Sequence, residues 1–325
     1  MNWREDAELP LVSVGVLNYN RKEELRVTLR EILRSDYPAL EVIVADNGSS
    51  DGSSEMVRTE FPDVKLYELE QNIGIAARNS ILFEAKGKYT ILYDDDSMPS
   101  TPTTIGKIVS FLERHADAAA LCTNVVNYYS GQSETEGWEK YGVANVGEYY
   151  EGLFVHASGM SYRSECVRET HGFPEDFFWG LEEGDLTLQL VDKNLKIVYK
   201  PDVVTYHRNS PIHRDRPWAF LMRTRNGIWL FWKYFPLPLA LWLTSRYVLK
   251  QAATAMAKPV YALSFFKGTY LGLRGIPIQW RKREPLSKEA VERTKQWQRQ
   301  NVSLWPHAAA AQTPGKRPSR RPVRE

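Results

Sequence analysis

At 325 residues with 43% hydrophobic side chains, the chain can bury a full core and suits one large α/β domain with an appendage. A formal net charge of +2 gives no global field for nucleic acid, so no nucleic-acid partner is expected. Two cysteines, Cys122 and Cys166, stand in no metal-type spacing, and the start MNWREDAELP is too polar for a signal peptide, so free thiols in a reducing cytoplasm are expected.

Residues 11–18 (LVSVGVLN) are apolar almost throughout and read as a buried strand of parallel type. Residues 21–34 place Leu25, Leu29, Ile32 and Leu33 on one helical face. A second strand at 40–45 runs into DNGSSDGS, followed by a short helix at 53–60 and a third strand at 64–69. A helix at 75–85 leads to a fourth strand at 89–93, which ends in three aspartates. This alternation is the signature of a parallel sheet covered by helices, whose ligands bind beyond the carboxyl ends of the strands. Further on, the pattern gives a helix at 104–114, a less regular region at 122–150, and a strand at 159–163 with a helix at 165–170. A helix at 182–193 and two short strands, 196–200 and 203–207, complete this part.

After about residue 215 the texture changes, and acids before 190 give way to basic residues after His207. Segment 228–250 is rich in Trp, Phe, Tyr and Leu but broken by Lys233, Pro236, Pro238 and Arg246. A transmembrane helix needs about 20 unbroken apolar residues. Aromatics interleaved with Lys and Arg fit a helix pair lying in a membrane interface, with a hairpin packed on the main domain as the alternative. The basic stretch from Pro306 onward has no apolar period and is expected to be disordered.

The chemistry sits at strand ends. Asp94, Asp95 and Asp96 repel one another unless a cation is present, and no basic residue lies beside them in the sequence. Mg²⁺ or Mn²⁺ is the expected partner. Alternation along a strand lets Asp94 and Asp96 share a ligand site while Asp95 turns aside. Asp46 closes the second strand before a Gly/Ser loop, where a carboxylate can accept a ring N–H from a uracil or thymine base; a plain Asx turn is the alternative. In Asn72–Asn79 (NIGIAARN), Gly74 opens a helix and Arg78 either binds a phosphate or fixes the aspartates. Glu182, Glu183 and Asp185 crowd one helix start, where a single acid would satisfy the dipole, so one of them is a candidate general base. Trp179 just before them suits either a sugar face or the core. His207 ends a strand and is a candidate nitrogen ligand beside two carboxylates. Arg208, His213, Arg214 and Arg216 follow and are candidates to cover a diphosphate.

The segments VSVGVLNYNR, ADNGSSDGS, NIGIAARN, LYDDDSMP, GFPEDFF, LEEGDLTLQL and VVTYH, in this order over about residues 11–210, resemble family 2 glycosyltransferases of the GT-A fold. The later RNGIWLFWKYFP is similar to the membrane-associated extension of bacterial polysaccharide members, including rhamnosyl- and galactofuranosyltransferase-like ones. The resemblance implies a mainly parallel, helix-covered sheet. It implies a catalytic domain at 1–214, a helical and membrane-interfacial extension at 215–300 and a basic tail at 301–325. It implies an inverting transfer from a nucleotide-diphosphate sugar, UDP- or dTDP-linked by preference, to a glycan or lipid-linked hydroxyl on the inner face of the cell membrane, with a homodimer as a possible assembly. Asn18, Asn20, Asp46, Asn72, Gly74, Arg78, Asp94 and Asp95 would then line the donor site. Asp94, Asp96 and His207 would hold the metal, and Glu183 would be the base. The family motif reads Glu-Asp where this chain reads Glu182-Glu183, which leaves both as candidates. Two rival readings remain: a nucleotidyltransferase, for which VLNYNRKEE lacks a Gly-rich loop, and a non-catalytic nucleotide-sugar-binding protein at a membrane.

Overall fold

The structure, a computed structural model, describes residues 9–135, 137, 144–153, 156, 158–210 and 215–299. The expected tail at 301–325 lies outside them, as do His213 and Arg214.

The first half alternates as expected: β1 (Val12–Asn18), α1 (Lys22–Leu33), β2 (Leu40–Asp46), α2 (Ser53–Glu60), β3 (Lys65–Glu68), a 3₁₀ turn (Gly74–Arg78), α3 (Asn79–Glu84), β4 (Tyr89–Asp94), β5 (Ser97–Pro99) and α4 (Thr104–Arg114). Val12, Val14 and Val16 of β1 meet Leu25, Leu29 and Ile32 of α1 on one face of the sheet. Leu17 points the other way, into a core with Ile81 and Leu92. That two-sided burial is why β1 reads as a continuous apolar run. The helix expected at 75–85 is split, because Gly74 and Asn79 give the segment a tight 3₁₀ start.

The second half adds β6 (Ala118–Asn127), β7 (Ala144–Asn145), β8 (Tyr150–Glu151), β9 (Met160–Arg163), α5 (Ser164–Arg168), α6 (Glu182–Asp192) and β10 (Lys196–His207). The less regular region expected at 122–150, with strands and a loop, begins inside the ten-residue β6. The two short strands expected at its end are one strand, since β10 carries register shifts near Pro201 and continues. Among the described residues the sheet runs β3-β2-β1-β4-β9-β6-β10-β8-β7, with β5 added to β10. β1 to β4 are mutually parallel, and β9 is inserted antiparallel between β4 and β6. The fold is a mixed, mainly parallel sheet with helices on both faces.

Register brings the chemistry together. Asn18 pairs with Asp46, and Leu17 with Asp94, so three strand ends share one rim. His207 pairs with Ser97, the residue after Asp96, which sets the imidazole beside the aspartates.

Four helices follow: α7 (Arg216–Tyr234), α8 (Leu237–Ala257), α9 (Ala262–Arg281) and α10 (Lys288–Arg299). Pro236 and Pro238 separate α7 from α8, as the sequence suggested. The other two helices complete the helical extension expected over 215–300. Gly268, Gly272 and Gly275 let α9 press against Leu221, Ile228 and Trp229 of α7. Leu230, Phe231 and Tyr234 of α7 join the sheet's own core, so α7 belongs to the packed body. α8 and α9 leave large apolar side chains in the open, among them Leu249, Met256, Leu263, Phe266 and Tyr270.

One glycine fixes how the 3₁₀ turn meets the segment before α6. Gly74 has φ +75°, and a Cβ there would stand 2.0 Å from the carbonyl oxygen of Phe178. Gly74→Ala is therefore expected to destabilise the protein by more than about 2 kcal/mol, through left-handed strain plus a backbone clash. Chemical denaturation checks this; an unchanged midpoint would mean that the Phe178 segment yields freely.

Candidate active site

The end of β4 carries three carboxylates with different surroundings. Asp94 keeps a side-chain exposure of 24%, pairs with the buried Arg78 guanidinium and accepts the Ser158 hydroxyl at 2.7 Å. Asp95 turns aside as expected: it is buried, pairs with Arg21 at 2.9 Å, and its main-chain oxygen accepts from Thr28. Burial, opposed by Arg21 and reinforced by Asp96, pushes the Asp95 carboxyl up to about 7. Asp96 accepts the Ser210 N–H at 2.8 Å, faces His207 Nε2 at 3.2 Å and lies 3.5 Å from Arg21. Sequence neighbours supply no counter-charge here, but the fold brings Arg21, Arg78 and His207 from three distant places.

Ligand atoms of Asp94, Asp96 and His207 all lie within 4.8 Å of one another. Two carboxylates and one imidazole form a donor set that suits Mg²⁺ or Mn²⁺. Glu134 Oε2 sits 3.0 Å from His207 Nδ1 and also receives His156 Nε2 at 3.5 Å, while Asn209 donates to its other oxygen. A carboxylate on one ring nitrogen fixes the tautomer and turns the other nitrogen toward a metal. The residues present fit a divalent cation.

The loops after β1 and β2 are tied together. Asp46 is buried, accepting Asn18 Nδ2 at 2.8 Å and the Ser49 N–H at 2.7 Å. The bond to Ser49 reaches three residues on, not the two of an Asx turn, and each oxygen keeps a second lone pair for a base N–H. Asn20 adopts φ 51°, and its side chain accepts the Ser50 N–H. Asn72 Oδ1 accepts from Asn47 and from the Gly74 N–H, which sets the 3₁₀ turn carrying Arg78. Of Arg78's two expected uses, the fold takes the second: it holds Asp94.

The three acids of α6 go three ways. Glu183 is half-buried; Tyr162 and Cys122 are both pushed up by burial first, and the nearby Glu183 adds to it. Glu182 is buried; burial and then Glu183 push its carboxyl well above the ordinary range, against the pull of Arg78. Asp185 faces away into α7, bonded to Lys233 Nζ at 3.0 and 3.2 Å, Tyr234 OH at 2.8 Å and Gln189 at 2.8 Å. Its place in the catalytic set is corrected on that geometry: with its partners supplied from the core, it anchors the helix. Arg208 is likewise committed elsewhere, bonding the Glu24 side chain and carbonyl. Arg216 is exposed at the start of α7.

Sequence reading missed Arg21, Glu134, Ser158 and Lys233. Arg21 follows the first motif directly, and its place there was the one available signal. Glu134 and Ser158 lie in loops with no pattern.

A buried carboxyl with a raised pKa costs the fold stability as pH climbs from the ordinary carboxylate value toward the raised one. Relative to the parent, Glu182→Gln is therefore expected to gain thermal stability as pH rises above the ordinary carboxylate range. Melting curves across that rise check it; a difference that stays flat would show that Glu182 is not held protonated.

Residues 13–169 match the family model described as glycosyl transferase family 2. Glycosyltransferase AglE of Haloferax volcanii is 26% identical over 213 residues, which is 62% of this chain and 68% of that protein. Two further relatives are spanned over 24% and 37% of their own length. Among solved structures, the mannosyltransferase PcManGT of Pyrobaculum calidifontis, in complex with GDP-Man and Mn²⁺, has a TM-score of 0.55 at 19% identity, covering 90% of this chain and 88% of that one. S. aureus TarS 1–349, in complex with UDP, has a TM-score of 0.57 at 17% identity, covering 83% and 88%. Residues 13–169, which carry Asp46 and Asp94–Asp96, thus form a glycosyl transferase family 2 domain, and with the same architecture in its structural neighbours the chain is a glycosyltransferase of the GT-A fold.

Proposed function

We propose that this glycosyltransferase moves a sugar from a nucleotide-diphosphate donor to a hydroxyl of a glycan or lipid-linked acceptor, with inversion, in the synthesis of a cell-surface polysaccharide. The observation that carries the reading is the Asp94–Asp96–His207 cluster at the end of β4, with the start of α6 close enough for Glu182 to feel Arg78, the partner of Asp94. Asp46 is assigned to the base, which favours a UDP- or dTDP-sugar. TarS was solved with UDP and PcManGT with GDP-Man and Mn²⁺, which supports a nucleotide-linked donor.

A divalent cation held by Asp94, Asp96 and His207 would supply the positive charge that a departing diphosphate needs. Glu183 takes the proton of the acceptor hydroxyl. That oxygen forms a bond to the anomeric carbon from the face opposite the leaving group, while the bond to the diphosphate breaks and its electron pair leaves on the diphosphate. Glu182 is buried, which pushes its carboxyl up, whereas Glu183 is half-exposed and open to an acceptor, which favours Glu183. Arg78 keeps Asp94 ionised and in place.

The helical extension gives the enzyme a site of work. Between residues 216 and 283 there are twelve Lys and Arg and no Asp or Glu. Exposed Leu263 and Phe266 on α9 share that stretch, and no described helix is long and apolar enough to cross a membrane. We assign α8 and α9 to peripheral contact with an anionic leaflet on its cytoplasmic side, where each basic residue adds about 1 kcal/mol. The acceptor would then be lipid-linked.

Three measurements test this function. Glu183→Gln is expected to lower kcat by at least about 100-fold with donor affinity near normal, since only proton removal is lost. If Glu182→Gln is dead and Glu183→Gln active, the base is the other glutamate. EDTA is expected to abolish turnover, with Mn²⁺ or Mg²⁺ restoring it, and Asp96→Ala to lose both metal-dependent donor binding and turnover in a folded protein. Flotation at low salt is expected to carry the protein up with anionic liposomes. Protein that stays at the bottom as a dimer would give the exposed face to a second copy instead.

A further inference from the structure

We infer that α7 is a clamp on the catalytic carboxylates, with Asn226 and Lys233 as positioning residues for Glu183. This rests on the reading of Glu183 as the base.

The segment before α6 has an unusual backbone. Phe178 has φ 60° and ψ −54°, Leu181 has φ 71°, and Gly180 between them has φ 89°. Residues with side chains hold such conformations only where the surroundings over-determine them. Here the surroundings are α7. Asn226 is fully buried, and its Nδ2 donates to the carbonyls of Phe177 at 3.0 Å, Trp179 at 2.9 Å and Gly180 at 2.7 Å. Arg225 Nη2 donates to the carbonyls of Asp176 at 3.2 Å and Phe177 at 2.7 Å. Arg225 Nε also donates to Asn226 Oδ1 at 2.8 Å, which fixes which way the amide points. On the opposite side the Phe178 carbonyl accepts the Ile75 N–H at 2.8 Å, so the segment is held from two elements.

Lys233 lies seven residues after Asn226, two turns along the same stripe of α7. Its ammonium grips Asp185, with Tyr234 as a second donor. Asn226 therefore holds the chain just before Glu182 and Glu183, and Lys233 holds it just after. A buried amide and a buried ammonium are expensive ways to pack a helix, and apolar side chains would do that task alone. What the polar pair adds is a fixed direction for the turn that carries Glu183. Displacement of a catalytic group by about 1 Å can cost on the order of 100-fold in rate.

The experiment compares Asn226→Ala and the double variant Asp185→Asn/Lys233→Met with the parent and with Leu243→Ala, a core truncation in α8. Melting temperature, affinity for UDP with Mn²⁺, and kcat are measured for each. For both clamp variants the expected result is a folded protein, nucleotide affinity within about 2-fold of the parent, and kcat lowered by roughly 10-fold or more. Leu243→Ala is expected to lose stability without loss of kcat. The clamp is overturned if both variants keep parental kcat, if affinity falls as far as kcat, or if Leu243→Ala loses as much kcat for the same drop in melting temperature. Glu183→Gln in parallel separates the two ideas. If it stays active the base assignment fails; if it is inactive while the clamp variants turn over normally, the clamp alone fails.

Discussion

Three adjacent carboxylates at the end of β4 are the constraint around which the rest of the molecule is arranged. Side by side in a buried rim they would repel, and burial would protonate them. The fold answers with an arginine for each of Asp94 and Asp95, and with His207 and Arg21 together for Asp96. Arg78 comes from the 3₁₀ turn after β3, Arg21 from the start of α1, and His207 from the far end of β10. Each partner is itself fixed: Arg78 by the Asn47–Asn72–Gly74 bonds around its turn, His207 by Glu134 and by pairing of β10 with β5. The donor set for a metal is the by-product of this neutralisation, because the arrangement leaves Asp94 partly open to solvent.

Burial then divides labour among chemically similar groups. Asp95 lies between Asp94 and Asp96, yet it faces Arg21 and helps pin α1. Glu182 and Glu183 are neighbours, yet one is buried and the other half-exposed. Asp185, one turn along the same helix, is drawn into an ion pair with α7. The low-dielectric interior sets these differences, since a carboxylate there is either paired or protonated.

The C-terminal helices have two characters. α7 shares the hydrophobic core of the sheet and reaches the segment before α6 with buried polar groups. α8 and α9 pack on α7 through small residues and turn apolar side chains outward. The extension thus holds the turn before α6 on one side and exposes apolar side chains on the other.

Much of this was legible in the sequence. The apolar run before Asn18, the strand ending in Asp94–Asp96 and the paired glutamates at Glu182–Glu183 carry local signals of period, charge and turn chemistry. Those signals gave the parallel sheet, the rim of acidic strand ends and the candidate cluster of Asp94, Asp96 and His207. The alternation that sent Asp95 aside is likewise local. What the sequence left open needed contacts between distant residues. The counter-charges of the aspartates, the bond of Glu134 to His207, the unequal burial of Glu182 and Glu183 and the turn of Asp185 toward Lys233 all depend on which elements meet. The glycines of α9 look like a weak helix until α7 lies against them. Periodicity and capping act over a few residues and survive in a linear reading. Burial, ion pairing and register act across hundreds, and these came only with the tertiary structure.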